Sequence, residues 1–117
     1  MNYPKYIYHI TAKSTWEQAL ANGFHTAPSL ETEGFIHTST EVQTLETANL
    51  HYKNQTDLVI LKIDSEQLGD MLKYELAPKR GDEFPHIYGK LPTSAVVAVA
   101  DFKSNEEGVF EEFPAFH

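Results

Sequence analysis

His37 and Ser39 stand two apart in Glu33-Gly34-Phe35-Ile36-His37-Thr38-Ser39, where a glycine turn leads into an apolar pair. On a strand, residues two apart share a face, so both side chains point the same way. Thr40 and Gln43 follow with capping-box spacing, which predicts a helix running towards His51. Polar groups aimed at a helix N-terminus suit an anionic ligand. His9 and His86 sit in similar apolar settings. Each of these histidines alone also suits a structural role, and Ser39 also suits a helix cap. Three in one small domain point to a shared pocket, because burying all of them for structure costs desolvation. Tyr8 and Tyr88 read as amphipathic tyrosines at the core edge. His25, His51 and His117 look peripheral and receive no role.

Three chemistries stay open for these residues. His9, His37 and His86 could ligate a metal, although no short histidine spacing supports it. A Ser-His pair could perform acyl transfer, but Ser39 lacks the glycines of a nucleophile elbow. The polar residues could grip a nucleotide, without the glycine fingerprints of a Rossmann or P-loop site.

The elements that must position these groups follow from the pattern along the chain. Tyr6 to Ile10 is β-prone, with Ile7 and His9 on one face and Tyr6, Tyr8 and Ile10 on the other. Ser14 and Glu17 have capping-box spacing for a first helix, which Gly23 should stop. Residues 24–33 read as a short strand and a loop, with Pro28 against a central strand. In the second helix Val42, Leu45, Ala48, Asn49 and Tyr52 line one side. Leu58 to Ile63 is nearly continuously apolar, as expected of a central strand covered on both faces. Asp64 caps a short turn, Leu72 to Leu76 alternates as a half-buried strand, and Pro78 to Asp82 is a loop containing the small basic spot Lys79-Arg80. Ala95 to Ala100 reads as another buried strand, and the tail carries Phe110, Phe113 and Phe116 either as an edge strand or draped over the core. One α+β domain over residues 1–117 results, with six or seven strands and two main helices.

The 117 residues carry 17 acidic and 9 basic side chains, a net charge of -8, which disfavours nucleic acid and acidic membranes as partners. The absence of cysteine removes disulfide and thiolate chemistry. No basic segment precedes an apolar run at the start, and no apolar stretch is long enough to span a bilayer, so a cytoplasmic protein is expected.

The ordered set Ile7-Tyr8-His9-Ile10, Trp16-Glu17 with Ala19, Pro28-Ser29-Leu30, Glu33 to Ser39, Asp57-Leu58-Val59 and Phe84-Pro85-His86-Ile87-Tyr88-Gly89-Lys90-Leu91-Pro92 resembles domain-of-unknown-function family 952, which is uncharacterised and mainly bacterial. The likeness covers residues 5–102 and leaves 103–117 as an acidic, aromatic extension. That family is remotely similar to the ADP-ribosyltransferase fold, in which NAD lies between two small antiparallel sheets. The resemblance implies a split barrel-like core, NAD as cofactor and a small nucleotide as ligand. It gives His9 the ribose, His37 the nicotinamide side, Ser39 and Tyr88 further contacts to the cofactor, and His86 the place of the usual catalytic glutamate, with Glu83 and Glu75 nearby. Ala48-Asn49 resembles a pair on the helix after the Gly34–Ser39 segment. A non-catalytic binding module and a histidine-site metal hydrolase are the alternatives.

Overall fold

The near-continuous apolar run becomes β4 (Leu58–Asp64), and it is central. It pairs antiparallel with β1 (Tyr6–Ala12) on one side and β8 (Val96–Phe102) on the other. Both faces of this central strand are covered, which is why it needs no polar alternation. On one face Ile7, Leu61 and Ile63 pack with Trp16 and Ala19 of α1 (Lys13–Asn22). On the other, Tyr8, Ile10, Leu58 and Ile60 pack with Ala48 of α3 (Glu41–His51) and with Phe102 and Phe110. The computed structural model describes residues 3–116, so the expectation for His117 lies outside the described residues.

A second antiparallel sheet has the order β3 (Ile36–His37), β6 (Asp82–Ile87), β5 (Leu72–Ala77). A third is the short pair β2 (Phe24–His25) and β7 (Leu91–Pro92). Pro85 explains why β3 is so short. His37 pairs with His86, so Thr38 comes next opposite Pro85, which has no N–H to return to it. The Thr38 N–H and hydroxyl both donate to the Pro85 carbonyl, and the chain then leaves β6. Ser39 instead exchanges two backbone hydrogen bonds of 2.8 Å with Tyr8 of β1. That bridge joins the first two sheets through the segment carrying His37 and Ser39.

α3 begins where the capping-box spacing of Thr40 and Gln43 predicts. Gln43 reaches back to accept from the Thr40 N–H at 3.0 Å, and its amide donates to Glu83 O and Asp82 Oδ2, tying the helix start to β6. Gly23 ends α1 at φ 85°, a left-handed conformation that glycine adopts without strain. Asp64 accepts from the Glu66 N–H and caps a 3-10 turn.

Other expectations are corrected. The first helix starts at Lys13 with Ala12 as its cap residue, and Ser14 and Glu17 form no box. Pro28 opens a five-residue helix, α2 (Pro28–Thr32), where its missing N–H costs nothing, in place of a loop. Val42 is 92% exposed, since the turn that meets the core is set by Gln43, Thr44 and Ala48. β8 is an edge strand with Val97 and Val99 exposed, not a strand buried on both faces. Among the described residues there are three helices, eight short strands and three antiparallel sheets, and no sheet closes into a barrel. The tail lays its aromatics over the core: Phe110 stacks on Phe102, and Phe113 and Phe116 lean on Tyr8. No helix among the described residues is long and apolar enough to cross a membrane.

Candidate functional site

Where β3 hands over to β1, a cavity of about 510 Å³ opens beside α3 and the β5–β6 turn. His37 and Ser39 enter it from the β3 segment, His86 and Phe84 from β6, and Tyr8 and Ile10 from β1. Thr47, His51 and Tyr52 close it from the end of α3, and Arg80 from the β5–β6 turn. Alternation along β6 explains the placement, since Phe84 and His86 share one face while Ile87 faces the core with Ile36.

Each of the two facing histidines is held by a carboxylate. His37 Nε2 lies 2.9 Å from Glu33 Oε2, and His86 Nδ1 lies 2.8 Å from Glu75 Oε1. Glu75 also accepts the Tyr88 hydroxyl. These bonds, first from Tyr88 and then from His86, hold the Glu75 carboxyl below the usual carboxylate range, and the same bond to Glu75 raises the Tyr88 phenol. The Phe35 ring stacks on His86 at 4.0 Å and 16° and meets His37 edge-on at 4.8 Å. Both imidazoles are thereby fixed in plane.

Arg80 supplies the positive charge. Its Nε and Nη2 donate to Glu46 Oε1 at 3.0 and 2.8 Å, its Nη1 donates to Thr47 Oγ1 at 2.8 Å, and its guanidinium lies 4.1 Å above the Phe84 ring. The side chain is only 16% exposed. Thr47 Oγ1 is in turn 3.0 Å from Ser39 Oγ. Of five guanidinium N–H groups these bonds use three, leaving one on each terminal nitrogen for a further acceptor.

Three of the five residues expected in the site, His37, Ser39 and His86, line this cavity. Tyr88 does not line it and acts behind it, on Glu75. His9 lies elsewhere. It shares the Ile7 face of β1, whereas the cavity opens on the Tyr8 and Ile10 face. Its Nδ1 sits 2.7 Å from His37 O, and because a carbonyl only accepts, Nδ1 carries the proton. Its ring meets buried His25 at 5.0 Å. Burial above all, with His25 beside it, lowers its pKa from 6.5 to about 3, so it is a neutral strut between β1 and β3. The ribose contact expected for His9 is therefore not carried into the functional proposal. Asn49 holds the tail, with its amide donating to Phe110 O and its oxygen accepting from Phe110 N. Glu83 turns to Tyr3. The three histidines considered for a metal do not converge, and among the described residues no group of three or more His, Cys, Asp or Glu side chains could hold a metal ion.

Arg80, Thr47 and Tyr52 belong to the site without having been singled out, and His51, expected to be peripheral, also lines the cavity. Only the basic spot Lys79-Arg80 signalled the first, and a turn folding back over Phe84 is what brings it in.

An α+β domain with a mostly apolar cleft carrying a few fixed polar groups, between its sheets and one helix, is the class this geometry defines. The chain belongs to the family described as Protein of unknown function (DUF952), whose model matches residues 10–99. It is similar to protein CC0527 from Caulobacter crescentus, whose X-ray structure is 36% identical with a TM-score of 0.84, over 91% of this chain and 93% of that one. The solution NMR structure of the same protein gives 35% identity and a TM-score of 0.79, over 92% and 93% of the two chains. No curated protein matches the chain.

Proposed function

We propose that the cavity binds a small nucleotide of the NAD or ADP-ribose class. The observation that carries this reading is the convergence, in about 510 Å³, of a largely buried guanidinium, two hydroxyls and two oriented histidines. That volume lies in the range of small-molecule sites, and apolar walls with a few fixed polar groups are their usual lining. Arg80, Ser39 and Thr47 suit a phosphate, and Tyr52 offers aromatic surface for a base. On a chain of net charge -8 long-range repulsion opposes an anion, so the local cation must supply the recognition. The resemblance to the ADP-ribosyltransferase fold suggested by the sequence motifs would favour the same ligand class, with His37 and His86 at its reacting end.

Calorimetric titration with NAD, ADP-ribose and AMP tests the proposal. Wild-type protein should bind at least one of them, and Arg80→Ala should weaken that binding roughly 10- to 100-fold through loss of a charged hydrogen-bond donor. Failure of all three ligands to bind at millimolar concentration would remove the nucleotide reading.

A further inference from the structure

His37 and His86 are direct partners across the β3–β6 pair, with ring centroids 5.4 Å apart and planes at 79°. Glu33 engages Nε2 of one ring and Glu75 engages Nδ1 of the other. An ionised carboxylate only accepts, so each partner fixes a proton on the nitrogen it holds. Nδ1 of His37 and Nε2 of His86 are left to exchange protons with a ligand. The carboxylates are themselves committed, Glu33 to His37 and Glu75 to both His86 and Tyr88. A reaction that leans on a free glutamate is therefore poorly served here, and one that needs two imidazoles beside a cation is well served.

We propose that His37 and His86 are an acid–base pair that hydrolyses the phosphodiester of a cyclic mononucleotide held by the same phosphate-binding groups of this cavity. The proposal rests on the nucleotide-binding reading above. His37 is 54% exposed and meets water entering from solvent, so it is the base. His86 is 11% exposed, set back from the entering water, and with Glu75 on its Nδ1 its Nε2 is left for the leaving oxygen, so it is the acid. In the step, the water oxygen forms a bond to phosphorus as Nδ1 of His37 takes its proton. The bond from phosphorus to the ester oxygen breaks, its electron pair stays on that oxygen, and Nε2 of His86 supplies the proton. The products are a phosphomonoester and an alcohol, no oxidant or reductant enters, and exchange with solvent resets the two rings. Arg80, in the same cavity, neutralises the charge that gathers on the non-bridging oxygens. Phe35, stacked on His86, keeps the acid in plane.

The test uses 2′,3′-cyclic AMP as substrate, chromatography of the adenosine monophosphate formed, and calorimetry of AMP binding on the same preparations. Wild type is compared with His37→Ala and His86→Gln, the second retaining a hydrogen-bonding partner for Glu75 without an ionisable ring. Wild type should open the cyclic ester, and each variant should slow turnover roughly 100-fold or more. Turnover at saturating substrate should fall in each variant by far more than AMP affinity does, because the rings carry the reaction while Arg80, Ser39 and Thr47 carry the phosphate. Wild type that binds AMP without turning over the ester overturns this inference and leaves the nucleotide reading standing. Turnover that survives in both variants overturns it as well. Absence of both binding and turnover in the wild type overturns the two readings together.

Discussion

Urea midpoints are expected to fall steeply as pH is lowered from 7.5 to 4.5, and His9 is the main cause. In the folded domain its pKa is lowered from 6.5 to about 3 by burial and by the neighbouring His25. The unfolded chain therefore binds a proton that the folded one refuses throughout this window. The stabilising contribution is complete above pH 6.5 and is lost progressively as the pH falls towards about 3. For this residue alone the loss between pH 7 and pH 4.5 comes to roughly 2–3 kcal/mol, a large part of the stability of a small domain. Buried His25, also lowered by desolvation, adds in the same direction, and both of its ring nitrogens are buried without a hydrogen-bond partner. Glu75, lowered by its bonds from Tyr88 and His86, contributes only as pH falls through the carboxylate range. A His9→Gln variant should be less stable at pH 7.5 but show a visibly shallower dependence on pH. An unchanged slope in that variant would place the acid sensitivity elsewhere.

Phe110→Ala is expected to destabilise the domain by about 3–5 kcal/mol, as for other buried aromatic truncations. Phe110 is 2% exposed and stacks on Phe102 at 4.4 Å, although it lies beyond the span 10–99 that matches the family. Asn49 grips its backbone at both N–H and C=O, as a strand partner would. The same apolar cluster includes Tyr8 and Ile10, which line the cavity from their other side. The tail thus buttresses the wall of the site. Equilibrium urea unfolding measures the effect, and a loss below about 1 kcal/mol would make the tail a loose appendage in place of core.

How much of this was legible depended on whether local chemistry or tertiary placement decided the matter. The β4 run, the Gly23 stop and the Thr40–Gln43 start are local signals, and each appears where expected. Alternation in β1 also separated Ile7 and His9 from Tyr8 and Ile10, but periodicity does not say which face meets a cavity. That single ambiguity moved His9 from ligand holder to neutral strut. The run from Ala95 to Ala100 looked buried because it lacks polar residues, yet an edge strand can leave valines in water. Arg80 was hidden for the opposite reason. A charged residue in a turn ordinarily faces solvent, and only packing over Phe84 with bonds to Glu46 and Thr47 aims it inward. Glu33 and Glu75 became informative only once their histidine partners were placed.

The central claim is that the cleft between β3, β6 and α3 is the nucleotide site. Titration of isotopically labelled protein with ADP-ribose, followed residue by residue by NMR, tests it most directly. Shifts are expected to cluster at Ser39, Thr47 and Arg80 with His37 and His86, leaving His9 and His25 little changed. No shifts at millimolar ADP-ribose, or shifts gathered on another face such as the β8 edge, would contradict it.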